Sequence, residues 1–458
     1  MRVKLDIPIL TEEICKTTDA KPYEKIDLKK YISFICTDTR ECKADDLFIA
    51  LNGENQNGES YVDDALDKKC FALSIRNKSG VIQVNDAAEA LLKIAEMYKS
   101  KLNLKHTIAV TGSVGKSTTV RFISRILSAK YKVHSPVGNF NNHIGVPLTI
   151  LNAPRDTEVL VTELGMNHSN EISRLSKCVT PDVGVITSIG TSHIGNLGSR
   201  ENIAKAKLEI THGMTGGTLL LPYGEPLFAD IRNALFVARN TSLSDISLNN
   251  SSDESYNLIS PYGNIEKISF FDTREHLLSD LAFAISTALA VGLTESEIIK
   301  GVNAITELDL RQRFILLKNF TVFDDSYNAS LESILADLRY ISSLGKPFSA
   351  FLGDVLELGE SSEYIHERIG RAVAEFNINN LFLYGSYAEC TACGATKAGI
   401  DPSRIFVNTD ISSPNISIKH IVDNHVDGEI ILFKASHRLR LDKIADQLAE
   451  EERMTNER

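Results

Sequence analysis

Three α/β domains are what this sequence predicts, and three observations predict them. The chain has 458 residues, about three domains at roughly 150 residues each. Short buried-strand patterns alternate with helical ones along the chain, the arrangement that covers a mostly parallel sheet with helices. A glycine-containing loop at 111–118 joins one such strand to one such helix. Composition agrees: 43% apolar and 24% charged residues are ordinary globular usage. That excludes a disordered, collagen-like or coiled-coil chain as the main architecture.

The first block, 1–102, has apolar runs at 32–36 and 47–51, turn residues at 52–58, and a helix over 87–98 with Ala88, Leu91, Leu92 and Ala95 near helical spacing. This reads as a small α/β domain. The second, 103–308, opens with a buried strand at 107–110. A helix follows at 117–127, with Phe122, Ile123, Ile126 and Leu127 apolar. Further buried strands are expected at 158–163 and 183–187, a polar loop at 249–256, and helices at 276–291 and 294–304, with Thr294 as an N-cap. The third block, 309–458, has strand-like runs at 322–323, 348–351 and 430–433 and helical patterns at 331–342, 364–376 and 441–448. Its charged tail, 450–458, is expected to fray.

Several classes of function fall away. No stretch approaches the roughly 18 uninterrupted apolar residues of a membrane-spanning helix. The N-terminal segment lacks the apolar core and cleavage site of a signal peptide, so a soluble, cytoplasmic chain is expected. Lysine and arginine number 49 against 60 acidic residues, a net charge of −11 that does not favour nucleic acid. The 7 cysteines are odd in number and widely spread, unlike a disulfide framework. Cys390 and Cys393 form a C-x-x-C without the two further ligands that a zinc site needs.

The sharpest motif is Thr111, Gly112, Ser113, Val114, Gly115, Lys116, Ser117 and Thr118, set between strand and helix. Glycines let backbone amides approach phosphates, and a helix N-terminus favours negative charge. Lys116 can reach the β- and γ-phosphates, and Ser117 can ligate magnesium. Val110 stands where the generic phosphate-loop pattern has its first glycine. Next comes Gly138-Asn139-Phe140-Asn141-Asn142, which reads either as a plain Asn/Gly turn or as hydrogen-bonding contacts to a nucleotide or substrate.

Together the phosphate loop and this asparagine stretch resemble the Mur ligase family, and the likeness continues in motif order through nearly the whole chain. The resemblance implies an N-terminal domain for a UDP-sugar precursor, a central ATP-binding domain and a Rossmann-like C-terminal domain. Within the family the chain is most similar to the branch that joins D-alanyl-D-alanine to UDP-N-acetylmuramoyl-tripeptide, in cytoplasmic peptidoglycan precursor synthesis. It implies ATP, two magnesium ions and a monomer.

Residue by residue, the resemblance places Thr37, Asp38, Thr39 and Arg40 on the uridine nucleotide. Here Gly58 is followed by Glu59 where the family usually has Gly-His. It places Asn139 and Asn142 on ATP with the phosphate loop, and Asn141 on substrate. Glu163 is the magnesium carboxylate, and its expected place at the carboxyl end of a parallel strand faces the ligand crevice. His193 helps hold the second magnesium, and Lys207 is the lysine that carbon dioxide carbamylates. Without the resemblance, Lys205 and Lys207 both read as solvated; two apart on a helix, they cannot share a face. Asp280 stands where the family usually has asparagine near adenine.

Arg313 matches the arginine at the hinge into the last domain, and Asp325, Tyr327 and Asn328 face the nucleotide. Asp324 and Asp325, adjacent on a strand, point to opposite faces and so form no acid/base pair. Asp354, Glu357 and Leu358, with His366, match a signature of the D-Ala-D-Ala-adding branch, and Ser436 belongs to the final motif, where His437-Arg438-Leu439 replaces the usual Arg-Gly-Met. The implied catalytic set is Lys116, His193, Lys207 and Arg313. Two other readings stand beside this one: a related ligase with a different amine or carboxylate, and a nucleotide-binding protein without catalysis.

Overall fold

The computed structural model describes residues 1–24, 26–53, 57–251, 254–310 and 312–456. Parts of the turn expected at 52–58, of the loop expected at 249–256 and of the tail lie outside the described residues.

Among the described residues the strands form three sheets, and the fold is α/β throughout. The N-terminal sheet orders its strands Arg2–Leu10, Tyr31–Cys36, Leu47–Ile49, Phe71–Ser74, Val81–Gln83, Lys21–Pro22. In its first strand, buried Val3, Leu5 and Ile9 sit at odd positions with exposed Lys4 and Asp6 between them, the period of a half-buried strand. That alternation is already visible in the sequence. The helix Ala87–Ser100 starts where Asp86 accepts hydrogen bonds from Ala88 N (2.8 Å) and Glu89 N (3.1 Å). Its buried face ends in Tyr98, whose hydroxyl donates to Ala153 O at 3.0 Å, and Lys99 Nζ lies 2.7 Å from both Cys178 O and Val179 O. These bonds tie the first sheet's helix to the central one.

The central sheet runs Ile265–Ile268, Tyr256–Ile259, Ile246–Asn250, Leu235–Arg239, Thr218–Pro222, Val183–Ile186, His106–Thr111, Val159–Glu163, Val133–His134. Pairing is parallel from Val133–His134 to Ile246–Asn250 and antiparallel beyond. The strands His106–Thr111 and Val159–Glu163 are almost wholly buried, as helices on both faces require. The loop expected at 249–256 is corrected: Asn249 and Asn250 pair with Asn257 and Tyr256 in an antiparallel hairpin. Their polarity suits a sheet margin, where Arg239 Nη2 donates to Asn250 Oδ1 at 2.7 Å.

The C-terminal sheet orders Arg313–Leu316, Thr321–Asp324, Ile430–Lys434, Phe348–Gly353, Leu381–Tyr384, Ile405–Asn408, parallel except for the first pair. The last helix, Leu441–Asn456, runs on through most of the tail expected to fray.

The chain divides into two compact units. One comprises Met1–Ser188, Lys205–Thr273 and Leu277–Ile305; the other comprises Ile189–Ala204, Arg274–His276 and Thr306–Arg458. Among the described residues no helix is long and apolar enough to cross a membrane.

Candidate active site

In the first unit the strand His106–Thr111 delivers the chain into the phosphate loop, and the helix Lys116–Leu127 leaves it. Gly112 adopts φ +152°, and a Cβ there would lie 1.9 Å from Thr187 Oγ1, so only glycine fits. Gly115 adopts φ +89°, a left-handed geometry that also favours glycine. The loop is clamped by the end of the neighbouring strand: Ser113 N donates to Ser188 O (3.0 Å), Val114 N to Ser188 Oγ (2.9 Å), and Thr187 Oγ1 to Val114 O (2.5 Å). Lys116 Nζ turns back onto Gly112 O at 2.7 Å.

Register sets the acid. Val110 pairs with Glu163, so the carboxylate ends its strand beside the loop. Ser117 Oγ donates to Glu163 Oε2 at 2.5 Å, and Asn141 Nδ2 donates to Glu163 Oε1 at 2.8 Å. The asparagine stretch thus divides its labour. Asn141 touches the acid; Asn142 Oδ1 accepts from Ile144 N (3.1 Å) and Gly145 N (2.8 Å), capping the helix Gly145–Leu151. Asn139 is exposed, with its carbonyl accepting from Asn141 N at 2.7 Å. Thr118 is half-buried in the first turn of the loop's helix.

Lys207 is 2% exposed while Lys205 is exposed, which corrects the view that both are solvated. Burial, followed by repulsion from Lys116, pushes the Lys207 ammonium well below its usual pKa. A neutral amine is a nucleophile; a buried ammonium beside Lys116 would not suit a magnesium shell. Ser117 and Glu163 do suit one, being hard oxygen donors. Among the described residues no group of three or more His, Cys, Asp or Glu has metal-holding geometry.

In the N-terminal sheet, Thr37–Arg40 follow the strand Tyr31–Cys36. Arg40 grips Asp38 through Nε to Oδ1 (2.9 Å) and Nη2 to Oδ2 (2.6 Å), which holds the Asp38 carboxyl well below the usual range. Thr37 N donates to Met1 O at 2.9 Å, and buried Thr39 accepts Lys68 Nζ on its carbonyl at 2.5 Å. Glu59 is buried and accepts from Ser74 Oγ (2.5 Å) and Ile75 N (3.2 Å).

The second unit holds the other residues. His193 adopts φ 64°, Glu357 φ 65°, and their side chains meet at 2.5 Å, His193 Nδ1 to Glu357 Oε2. Two non-glycine residues in left-handed geometry is local strain of the kind that collects at functional sites. Thr191 N and Oγ1 donate to Glu332 at 3.1 and 3.2 Å. Asp354 accepts from Ser386 N (2.8 Å) and Tyr387 N (3.0 Å), and Ser436 Oγ from Leu356 N (2.9 Å), so both brace the 354–358 loop. His366 Nε2 accepts from Val355 N at 3.0 Å, and Leu358, 1% exposed, anchors that loop in the hydrophobic core. Arg313 joins Asp324 (2.8 Å) and Asp446 (2.9 Å). Tyr327 packs against His437 with ring centroids 5.0 Å apart, and Asn328 Oδ1 accepts from Ala329 N at 2.9 Å.

The strand ends at Asp324, which pairs with Arg313, and Asp325 just beyond it is drawn into a network that sequence reasoning missed. Lys434 bonds Asp325 and lies 2.9 Å from Asp337 Oδ2, while Gln312 Nε2 reaches Asp325 (3.2 Å) and Asp337 (3.1 Å). Burial raises the Asp337 carboxyl well above its usual range; Lys434 holds Asp325 below its own, against burial. Gln312 and the mid-helix Asp337 have no local signal, because each looks like an ordinary solvated residue.

A clamped phosphate loop at the carboxyl edge of a parallel sheet, with a hydroxyl–carboxylate pair beside it, defines a nucleotide-binding α/β protein built for phosphate chemistry. The Mur ligase middle domain pattern matches residues 110–284. UDP-N-acetylmuramoyl-tripeptide–D-alanyl-D-alanine ligase of Bacillus subtilis (strain 168) is 35% identical over 453 residues, covering 96% of this chain and 97% of that protein. The protein of that name from Rickettsia prowazekii (strain Madrid E) is 30% identical, covering 89% and 93%. A crystal structure of MurF from Acinetobacter baumannii superposes with TM-score 0.85 at 26% identity, covering 98% of this chain and 100% of that one. The chain belongs to the Mur ligase family.

Proposed function

We propose that this protein is the ATP-dependent ligase that joins D-alanyl-D-alanine to UDP-N-acetylmuramoyl-tripeptide. The observation that carries the reading is the convergence of Lys116, the Ser117–Glu163 pair and buried Lys207 in one unit. The name of the Bacillus subtilis relative, alike over nearly its full length, supports the choice of substrates.

A carboxylate is a poor acyl donor, because its leaving oxygen is bad. Transfer of the γ-phosphoryl from ATP to the tripeptide carboxylate gives an acyl phosphate and ADP. The free amine of D-alanyl-D-alanine attacks the acyl carbon, the nitrogen gives up a proton to solvent, and phosphate leaves with the carbonyl–oxygen bond broken. The residues position reactants and neutralise charge. Gly112, Ser113, Val114, Gly115 and Thr118 offer backbone to the phosphates, and Lys116 swings from Gly112 O to the transferring group. Asn139, Asn142, Asp325, Tyr327 and Asn328 complete the nucleotide site. Arg313 acts with the catalytic lysines.

Magnesium would be held by Ser117, Glu163, His193 and a carbamate formed when the neutral Lys207 amine adds carbon dioxide and loses a proton. When bound it screens phosphate charge. Thr37, Asp38, Thr39, Arg40, Asn141, Asp354, Glu357, Leu358 and Ser436 serve the peptide-nucleotide and dipeptide, directly or by shaping their loops. The domains run 1–102, 103–308 and 309–458, and the protein works as a cytoplasmic monomer. The test is ADP release by purified protein with UDP-N-acetylmuramoyl-tripeptide, with and without D-alanyl-D-alanine. No dipeptide-dependent ADP release would reject the reading.

A further inference from the structure

We propose that Asp280 is a positioning residue that fastens the phosphate loop to the helix Glu275–Ala290 as an uncharged hydrogen-bonding group, and that nucleotide binding weakens when it ionises. This rests on the reading of 111–118 as the nucleotide site.

Asp280 is 6% exposed, on a helix whose neighbouring side chains Leu277, Leu281 and Ala284 are buried and apolar. The phosphate loop and the helix that follows it both press on it. From the loop's helix, Thr119 Oγ1 donates to Asp280 Oδ1 at 3.0 Å. From the loop itself, Gly115 comes so close that an added Cβ would lie 2.4 Å from Oδ1 and 3.4 Å from Oδ2. The left-handed turn at Gly115 and this acid therefore fit one another. An acid is an expensive choice for such a place unless it is paired or neutral. Neither group packed on it is charged. The loop's own cation, Lys116, directs its ammonium to Gly112 O at 2.7 Å and Ser113 O at 3.3 Å. Burial pushes the Asp280 carboxyl well above its usual range, and the Thr119 bond opposes this only in part. With Oδ1 accepting from Thr119, the proton belongs on Oδ2.

Ionisation would place a negative charge against Gly115, in the loop whose amides must receive phosphates. Asp280 is buried, so the repulsion is screened less than between surface charges. The sign follows by linkage: nucleotide binds the neutral form better, so affinity is level at lower pH. It then falls as Asp280 loses its proton in the free protein.

The test uses the full-length protein and a fluorescent ADP analogue, with its Kd measured from neutral pH to about pH 9.5. Wild type should show a rise of tenfold or more at the alkaline end, and Asp280→Asn should show a level profile, whatever its value at neutral pH. A level wild-type profile, or the same rise in Asp280→Asn, overturns the proposal. Infrared difference spectra of wild type add a measurement independent of the variant's folding. A protonated-carboxyl band at neutral pH that shifts on adding ADP supports the proposal, and its absence overturns it. Lys116→Ala separates the two levels. If it binds the analogue as tightly as wild type, the phosphate-loop reading falls and this inference with it. If only Lys116→Ala loses binding while the pH profiles coincide, the loop reading stands and this inference alone fails.

Discussion

Lys207 and Lys116 are the two positive side chains whose relation matters most. One is buried, with no ion pair to an acid among the described residues, and the other stands close enough to depress it further. Burial favours the neutral amine that carbamylation at this lysine would require, whereas arginine at the same place stays charged. Lys207→Arg should therefore lose at least about 100-fold in turnover and resist rescue by added short carboxylates. Lys207→Ala should be as slow but partly rescued by them. Wild type should lose rate when bicarbonate is stripped from the buffer. A fully active Lys207→Arg enzyme would remove this lysine from the chemistry. Lys116→Ala removes a charge aimed at the transferring phosphoryl group and should cost about 100-fold or more in turnover at saturating ATP, with the melting temperature unchanged. Retention of the wild-type rate would dismiss the assignment.

At the scale of elements, the clamp between the phosphate loop and the end of the strand Val183–Ile186 decides whether backbone amides face a ligand. Gly112→Ala would drive a Cβ into Thr187 Oγ1. The loop must then shift, at a strain of about 1–3 kcal/mol. ADP affinity should fall at least about tenfold, while circular dichroism stays that of wild type. Equal affinity would mean that Thr187 yields and the clamp is unimportant.

The loop, its strand and its helix were legible in the sequence because strand, glycine and helix signals are local and reinforce one another. The capping role of Asn142 and the bracing by Asp354 and Ser436 were not, since a polar side chain does not announce whether its partner is a ligand or a backbone amide. Burial of Lys207 came only through resemblance to a family, because helical spacing near 200–208 carries no strong apolar face. The strand Arg2–Leu10 is readable in its alternation. The Asp325–Lys434–Asp337 network joins residues about a hundred positions apart, which no local pattern reveals.

For the whole molecule, the second unit is more than its C-terminal stretch. Ile189–Ala204 packs within it: Gly195 N donates to Glu357 O at 3.3 Å, Glu332 receives Thr191, and Ile194 packs on the core that contains Leu358. A fragment of residues 306–458 alone lacks these partners. It should be less stable than the same unit in the full chain by about 2 kcal/mol or more, since buried polar groups such as Glu332 lose their bonds. Hydrogen exchange at 354–359 in fragment and intact protein checks this, and equal protection would show that the borrowed segment contributes nothing.

The path of the chain carries a consequence for descent and for protein engineering. It passes between the units at 188/189, 204/205, 273/274, 276/277 and 305/306. A crossover placed at 305/306 between two homologous genes would hand the recipient a foreign C-terminal third while leaving the parental 189–204 in place. His193 would then face a stranger's Glu357. Viable hybrids should be those that inherit 189–204, 274–276 and 306–458 from one parent, so what is exchanged as a module here is a discontinuous block of text rather than a single passage.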